Sequence, residues 1–386
     1  MILPTGNKLG ALTNVGFQPS GPIRAWNTNP QTQTWSFGLQ HQLPGNILID
    51  ANYVGTKGTH LIFSGFTNND FLGPSVESLD AAGIASLESL VPNPFAGIIT
   101  NLASSLAAPT VPAWQVHLPF PQFTSTSLVE PPWANSIYNA FQLKIEKRFS
   151  QGLEFVVSYT NSKSLDDSSV NGANWTFAGG FSHFQDPNRL YLERGPSEFD
   201  ISQLLQLTYV YQLPVGHGKH WGSGWSPWLN AFLGGWETNG IWRFSTGNPL
   251  PLSLAGGTSL PTYGPQEANL LAPLKRNNGP DWRSHYFANP QVAVLPAPFA
   301  IGTAPPILPN VRAPGVNNAS LSLFKEIPLS RLTEGSHLEI RLESFNALNH
   351  PQFCPPATTA NLPTFGQVTC QSNVPREVQL GMKLYW

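Results

Sequence analysis

The chain has 386 residues, with 20 Lys and Arg against 22 Asp and Glu, and a formal net charge of −2. Charged residues are 11% of the chain, where a typical soluble domain carries about 25%. With 37 Pro, 34 Gly and 11% aromatic residues, this balance excludes charge-driven disorder and a basic nucleic-acid-binding surface. Apolar runs such as Ile47-Leu48-Ile49 fall far short of the ~20 residues of a spanning helix. A β-rich chain remains: either an extracellular all-β protein or an outer-membrane barrel.

Residues 1–8 (MILPTGNK) show no basic region leading into an apolar stretch, so no secretory signal is expected there. The best helix pattern is 78–90 (SLDAAGIASLESL), inside a long polar region. Elsewhere the alternation has period 2, the mark of a strand with one apolar face.

Nine segments carry it. Segment 33–42 sets Trp35, Phe37 and Leu39 against Ser36, Gly38 and Gln40, and 46–55 sets Ile47, Ile49, Ala51 and Tyr53 against Asp50 and Asn52. Segment 137–149 sets Phe141, Leu143 and Ile145 against Gln142, Lys144 and Glu146, and 153–163 sets Phe155, Val157 and Tyr159 against Glu154 and Ser158. Then come 204–213 (Leu205, Leu207, Tyr209, Tyr211), 236–246 (Trp236, Trp242, Phe244 against Glu237 and Arg243) and the weaker 319–327. The last two are 337–347 (Leu338, Ile340, Leu342 against Glu339, Arg341, Glu343) and 376–386 (Val378, Leu380, Met382, Leu384, Trp386). Each runs about 9–13 residues. Globular strands cluster near 5–6 residues, whereas a strand crossing a bilayer at a tilt needs ~9–11.

The connections alternate. Short ones (43–45, 150–152, 214–235, 328–336) lie between long ones (56–136, 164–203, 247–318, 348–375). Outer-membrane barrels have this arrangement, with short periplasmic turns and long extracellular loops. Pro44, Pro214 and Pro328 close strands that lead into short connections, because proline cannot donate to the ladder. The long connections are rich in Pro, Gly, Asn and Ser and read either as ligand-binding surfaces or as a variable covering.

The chain closes on an amphipathic strand ending in an aromatic, VQLGMKLYW, a pattern that barrel-assembly machinery reads. Several further stretches complete a resemblance: 33–40 (QTWSFGLQ), 53–61 (YVGTKGTHL), 91–95 (VPNPF), 136–142 (SIYNAFQ), 147–153 (KRFSQGL), 158–164 (SYTNSKS), 233–236 (LGGW) and 345–353 (FNALNHPQF). With these the chain resembles the C-terminal part of the TonB-dependent, Oar-like outer-membrane receptors common in acidobacteria. The resemblance covers residues 32–386. It implies an all-β fold: a partial antiparallel transmembrane barrel of about nine strands, located in the outer membrane. It also implies uptake of a bulky ligand in an intact receptor that adds a plug and engages TonB. On this reading residues 33–386 are barrel, residues 1–32 are an extracellular connection to a missing N-terminal part, and the chain is a fragment. No enzymatic role, cofactor or metal is expected. The alternative is a secreted carbohydrate-binding or adhesion module.

Charge facing lipid costs ~2–4 kcal/mol at the midplane. Lys144, Glu146, Glu154, Glu237, Arg243, Glu339, Arg341 and Glu343 are therefore expected to face the lumen. Trp35, Tyr53, Phe149, Tyr159, Tyr211, Trp236 and Trp386 lie near predicted strand ends and suit aromatic girdles. Cys354 and Cys370 flank one loop, where they are either paired or two separate thiols. Asp166-Asp167 and His217-Gly218-Lys219-His220 are weak candidates for acid chemistry and metal binding. No GxSxG, HExxH or phosphate loop occurs.

Overall fold

The computed structural model describes residues 14–21, 28–62, 66–99, 102–129, 131–168, 185–186, 188–255, 266–329 and 336–386. The greater part of the N-terminal connection expected over 1–32, namely 1–13 and 22–27, lies outside them.

Nine long strands form one sheet: β1 Gln31–Leu43, β2 Ile47–Leu61, β3 Ala134–Ser150, β4 Leu153–Asp166, β5 Gln203–Gln212, β6 Trp236–Ser245, β7 Val316–Pro328, β8 His337–Phe345 and β9 Glu377–Tyr385. Each pairs antiparallel with its sequence neighbour, so spatial order follows chain order from β1 to β9. A short segment, Gly195–Pro196, adds to the top of β4. Among the described residues β1 and β9 do not pair with each other, and the sheet is an open wall.

Turn chemistry sets the tight end. Gln151 (φ 53°) and Gly152 (φ 78°) form a two-residue turn with both residues left-handed, the conformation that matches strand twist in hairpins. Between β1 and β2 the loop has three residues, Pro44 followed by Gly45 (φ 83°) and Asn46 (φ 60°), the last two left-handed. At the other end β2 continues past Gly55 to Leu61, and β7 begins at Val316 rather than at residue 319. These extensions escaped the sequence pattern because neither face is purely apolar there, so period 2 fades while the ladder continues.

The long connections are folded. Residues 62–133 contain a 3-10 turn, Pro74–Ser78, a one-turn helix α2, Ala113–Val116, and before it helix α1, Ala81–Glu88, whose N-cap Asp80 accepts a hydrogen bond from Gly83 N at 2.8 Å. Their core includes Leu72, Val76 and Leu118, and Phe299 enters it from residues 246–315. A larger core lies within 246–315: Leu250, Leu252, Leu274, Tyr286, Phe287, Leu308 and Val311 are all nearly inaccessible.

Polar links tie the connections to one another. Arg312 donates to the Asp200 carboxylate and to Asp200 O (2.8 Å) and Gly247 O (3.1 Å). Arg189 pairs with Glu77 and with Asp186 (2.6 Å). Ser253 N donates to Thr358 O at 3.1 Å and Ala360 N to Ser253 O at 2.8 Å, joining 246–315 to 346–376. Even residues 14–21 join in, with Gly16 N on Gln122 O and Ser20–Gly21 beside Ser127–Leu128. Most of the buried apolar side chains belong to this cap rather than to the wall, since the wall has no second layer against its outer face.

The Asp200 side chain is 1% exposed. Removing one partner of such a buried pair costs about 3–5 kcal/mol. Arg312→Met is therefore expected to speed protease cleavage within 188–202 and 266–315 several-fold, with the strand ladder unchanged by circular dichroism.

Candidate functional site

Strand register decides what each face of the wall presents. One ladder runs His41, Ile49, Ile145, Val157, Leu207, Trp242, Ala319, each residue opposite the next. The row beside it runs Leu39, Ala51, Leu143, Tyr159, Leu205, Phe244. On the C-terminal strands Leu323, Leu342 and Leu380 stand opposite one another, as do Lys325, Ile340 and Met382. All of these lie on one face. Many of its large apolar side chains are exposed, including Phe37, Leu39, Leu380 and Met382.

This apolar band has polar margins. At the short-turn end lie Lys147, whose Nζ donates to Gly45 O and Ser150 Oγ at 2.8 Å, and Lys325. At the cap end lie Lys57, Asn139, Lys163 and Asn317. From Lys147 to Asn139 the rise along a tilted strand is about 20 Å.

Aromatic side chains gather at both margins. Tyr211, Trp236 and Trp386 stand at the short-turn end, and Phe149 lies there beside the bulge between Lys147 and Ser150. Trp35, Tyr53 and Tyr159 stand nearer the cap, with Trp242 and Phe244 beside them, which the girdle expected from sequence had not included. Tyr53 OH donates to Asn139 Oδ1 at 2.7 Å and Trp242 Nε1 to Asn317 Oδ1 at 2.8 Å, so the polar tips point to the polar margin. Tyr53 sits mid-strand, because β2 runs beyond its expected end. Gly55 lies under the Trp35 indole: a Cβ there would approach Trp35 Cε2 to 2.3 Å.

The opposite face carries the charges. The same register puts Lys144, Glu146, Glu154, Glu237, Arg243, Glu339, Arg341 and Glu343 together on it, with Asp50 across from Lys144 and Lys383 across from Glu339. Arg341 lies between two carboxylates, 2.9 Å from Glu339 and 3.3 Å from Glu343, and Gln379 also donates to Glu343. Lys144 pairs with Glu146 at 2.7 Å, and Gln212 donates to Glu237 at 2.8 Å. Among the eight, Glu154, Glu237 and Arg243 have no ion pair within the described residues.

Two cavities open where this face meets the cap. One, about 290 Å³, is lined by Tyr138, Gln142, Thr160, Ser162, Phe199 and Asp200. The other, about 530 Å³, lies between residues 246–251 and 353–358, with Arg243, Glu198, Phe353 and several prolines at its wall. Cys354 lines it and is joined to Cys370 by a disulfide, with Cα atoms 5.5 Å apart.

The remaining candidates have structural partners. Asp167 accepts from Asn135 N (2.6 Å) and Asn135 Nδ2 (3.0 Å), which pins the start of β3. His217 Nε2 bonds Trp225 O at 2.6 Å, and the His220 ring stands edge-on to Trp221. Among the described residues no three His, Cys, Asp or Glu side chains converge as a metal group.

Sequence reading did not anticipate two buried carboxyls in the cap. Burial, with the Asp167 charge adding to it, pushes Glu193 up to about 7. Burial and the neighbouring Glu193 push Glu267 up to about 8. Glu267 stands as an isolated charge among apolar and turn residues, whereas Glu193 beside Arg194 carries no such signal.

A long-stranded antiparallel wall, apolar on one face between aromatic margins and charged on the other, defines an outer-membrane β-barrel protein. The chain belongs to the outer membrane beta barrel domain family, whose model matches residues 3–379. It is an outer-membrane protein, and this sets aside the secreted module. Among solved structures, the outer membrane transporter YddB from Escherichia coli is similar at 9% identity and a TM-score of 0.45, over 96% of this chain and 35% of that one. FpvA of P. aeruginosa, solved in an iron complex with a heterologous pyoverdine, is similar at 9% identity and 0.36, over 92% of this chain and 27% of that one. The chain thus spans about a third of the length of these proteins. No curated protein matches it.

Glu193 and Glu267 bind protons more tightly folded than unfolded. Their contribution to cap stability is full below the ordinary carboxylate range and is lost as pH rises through about 7 and then about 8. Hydrogen-exchange protection in 188–202 and 266–315 is expected to fall progressively from about pH 5 to about pH 8 and to level off above that. Glu267→Gln is expected to remove most of that fall.

Proposed function

We propose that the chain is the C-terminal part of a TonB-dependent receptor of the Oar-like kind, which takes up a bulky ligand. The observation that carries this reading is the meeting of the 530 Å³ cavity with the charged face of the wall. In this reading the apolar face meets lipid, the charged face lines the lumen, and the cap is extracellular. The ligand is caught by the cap and passed down the charged face. Arg243 serves as the first cation it meets. The Arg341 cluster is largely self-neutralised and acts mainly to support the wall. The disulfide stiffens the connection that forms one side of the cavity.

An unpaired strand edge in lipid leaves backbone groups unsatisfied, at several kcal/mol each. The edges of β1 and β9 therefore call for further strands, supplied by more of the same receptor, with residues 1–32 leading into it. TonB and a plug act only in that intact receptor. The assembly machinery reads β9 and its closing Trp386.

Two experiments test the reading. Leu342→Arg, in the middle of the apolar band, is expected to cost about 2–4 kcal/mol and to abolish heat-modifiable migration on gels, whereas Thr208→Arg on the charged face is tolerated. If both are tolerated, the assignment of faces is wrong. Separately, ferric siderophores, cobalamin, oligosaccharides and peptides are titrated against the detergent-extracted receptor. One class is expected to bind, and Arg243→Ala is expected to weaken it about tenfold, or ~1.4 kcal/mol. A receptor inert to all four classes would overturn ligand capture.

A further inference from the structure

The connection between β5 and β6 is the longest on the short-turn end, and its chemistry is distinctive. Residues 213–235 contain no Asp or Glu, but they hold Trp221, Trp225 and Trp228 together with Lys219, His217 and His220. Helix α3, Pro227–Leu233, occupies its second half. Trp228 is 67% exposed and Phe232 69%, and Leu233 and Trp221 are also exposed. A one-turn-spaced pair of large apolar side chains facing outward is costly in water unless something covers it.

The anchoring of α3 shows where it lies. Lys325 and Trp236 stand opposite each other on the apolar face, with the ammonium 5.6 Å from the indole centroid. From there Lys325 Nζ donates to the carbonyls of Asn230, Ala231 (2.7 Å) and Gly234, the C-terminal end of the helix. Trp236 Nε1 donates to Phe232 O at 2.8 Å. Asn230 Oδ1 accepts from His217 N at 2.8 Å, which locks the first half of the connection to the second. A cation at a helix C-terminus satisfies open carbonyls and complements the dipole. Here it also fixes the helix on the outer surface of the wall rather than across the lumen, and it gives a lysine on the apolar face its partners. The exposed apolar face of α3 therefore continues the lipid-facing band beyond the margin formed by Trp236 and Tyr211.

We infer that α3 is an interfacial anchor, lying in the phospholipid headgroup layer at the periplasmic side with Trp228, Phe232 and Leu233 inserted. This rests on the assignment of faces and ends made above. Short apolar faces of this kind insert about 5–10 Å into the headgroup and acyl boundary. Tryptophan prefers that zone, and the absence of carboxylates suits an anionic or zwitterionic surface.

The test uses the full chain, extracted and reconstituted in phosphatidylethanolamine–phosphatidylglycerol vesicles. An environment-sensitive fluorophore is placed at Phe232→Cys, and in a second sample at Leu342→Cys in the mid-band. Lipids brominated near the headgroup or deep in the chains then quench it. The Phe232 label is expected to be quenched at least about twofold more by shallow bromine than by deep bromine, with the Leu342 label showing the reverse order. Quenching at Leu342 with none at Phe232 overturns the anchor alone and leaves the helix facing water or a protein. No quenching at either position overturns the barrel orientation on which the anchor rests.

Discussion

Backbone hydrogen bonding without water is the constraint on which the rest depends. In the hydrocarbon region every N–H and C=O must find a partner in the protein. Between β1 and β9 the strands meet this by unbroken neighbour-to-neighbour pairing, with register shifts only near strand ends, at Gly58/Leu61 and Lys147/Ser150, and only the outer edges of β1 and β9 stay open among the described residues. Unbroken register in turn fixes the faces. With a side-chain period of two, a slip of one residue on any strand would exchange its leucines for its carboxylates. The apolar ladder from His41 to Ala319 and the charge row on the other side are therefore one fact seen from two sides.

The same constraint explains where the core is. A wall that meets lipid needs no second layer, so Leu380 and Met382 remain exposed. The cap stands in water and has to bury its own apolar groups. It does so with Leu250, Leu274, Tyr286 and Phe287, and with buried ion pairs such as Arg312 with Asp200. Proline-rich chain suits this role, since it forms compact irregular structure at low entropic cost.

The wall was legible in the sequence because alternation and length are local signals. All nine strands lie where the period-2 pattern puts them, and all eight charged residues share a face. The cap was not legible. Its order comes from long-range pairs such as Phe299 with Leu72, which have no period, and from isolated charges whose partners are about a hundred residues away. Lys147 and Lys325 escaped the rule that charge avoids the apolar face, because both reach carbonyls at the margin. Helix α3 gave no helical signal over its seven residues. It is held by Lys325 and Trp236, residues that lie outside it.

The links among the four long connections have a mechanical consequence. Phe299 is seated among Leu72 and Leu118, Arg312 holds Asp200, and Ser253 is laced to Thr358 and Ala360. No connection can be displaced without straining its neighbours. A load applied to one connection of this crown is therefore passed to the others through these contacts.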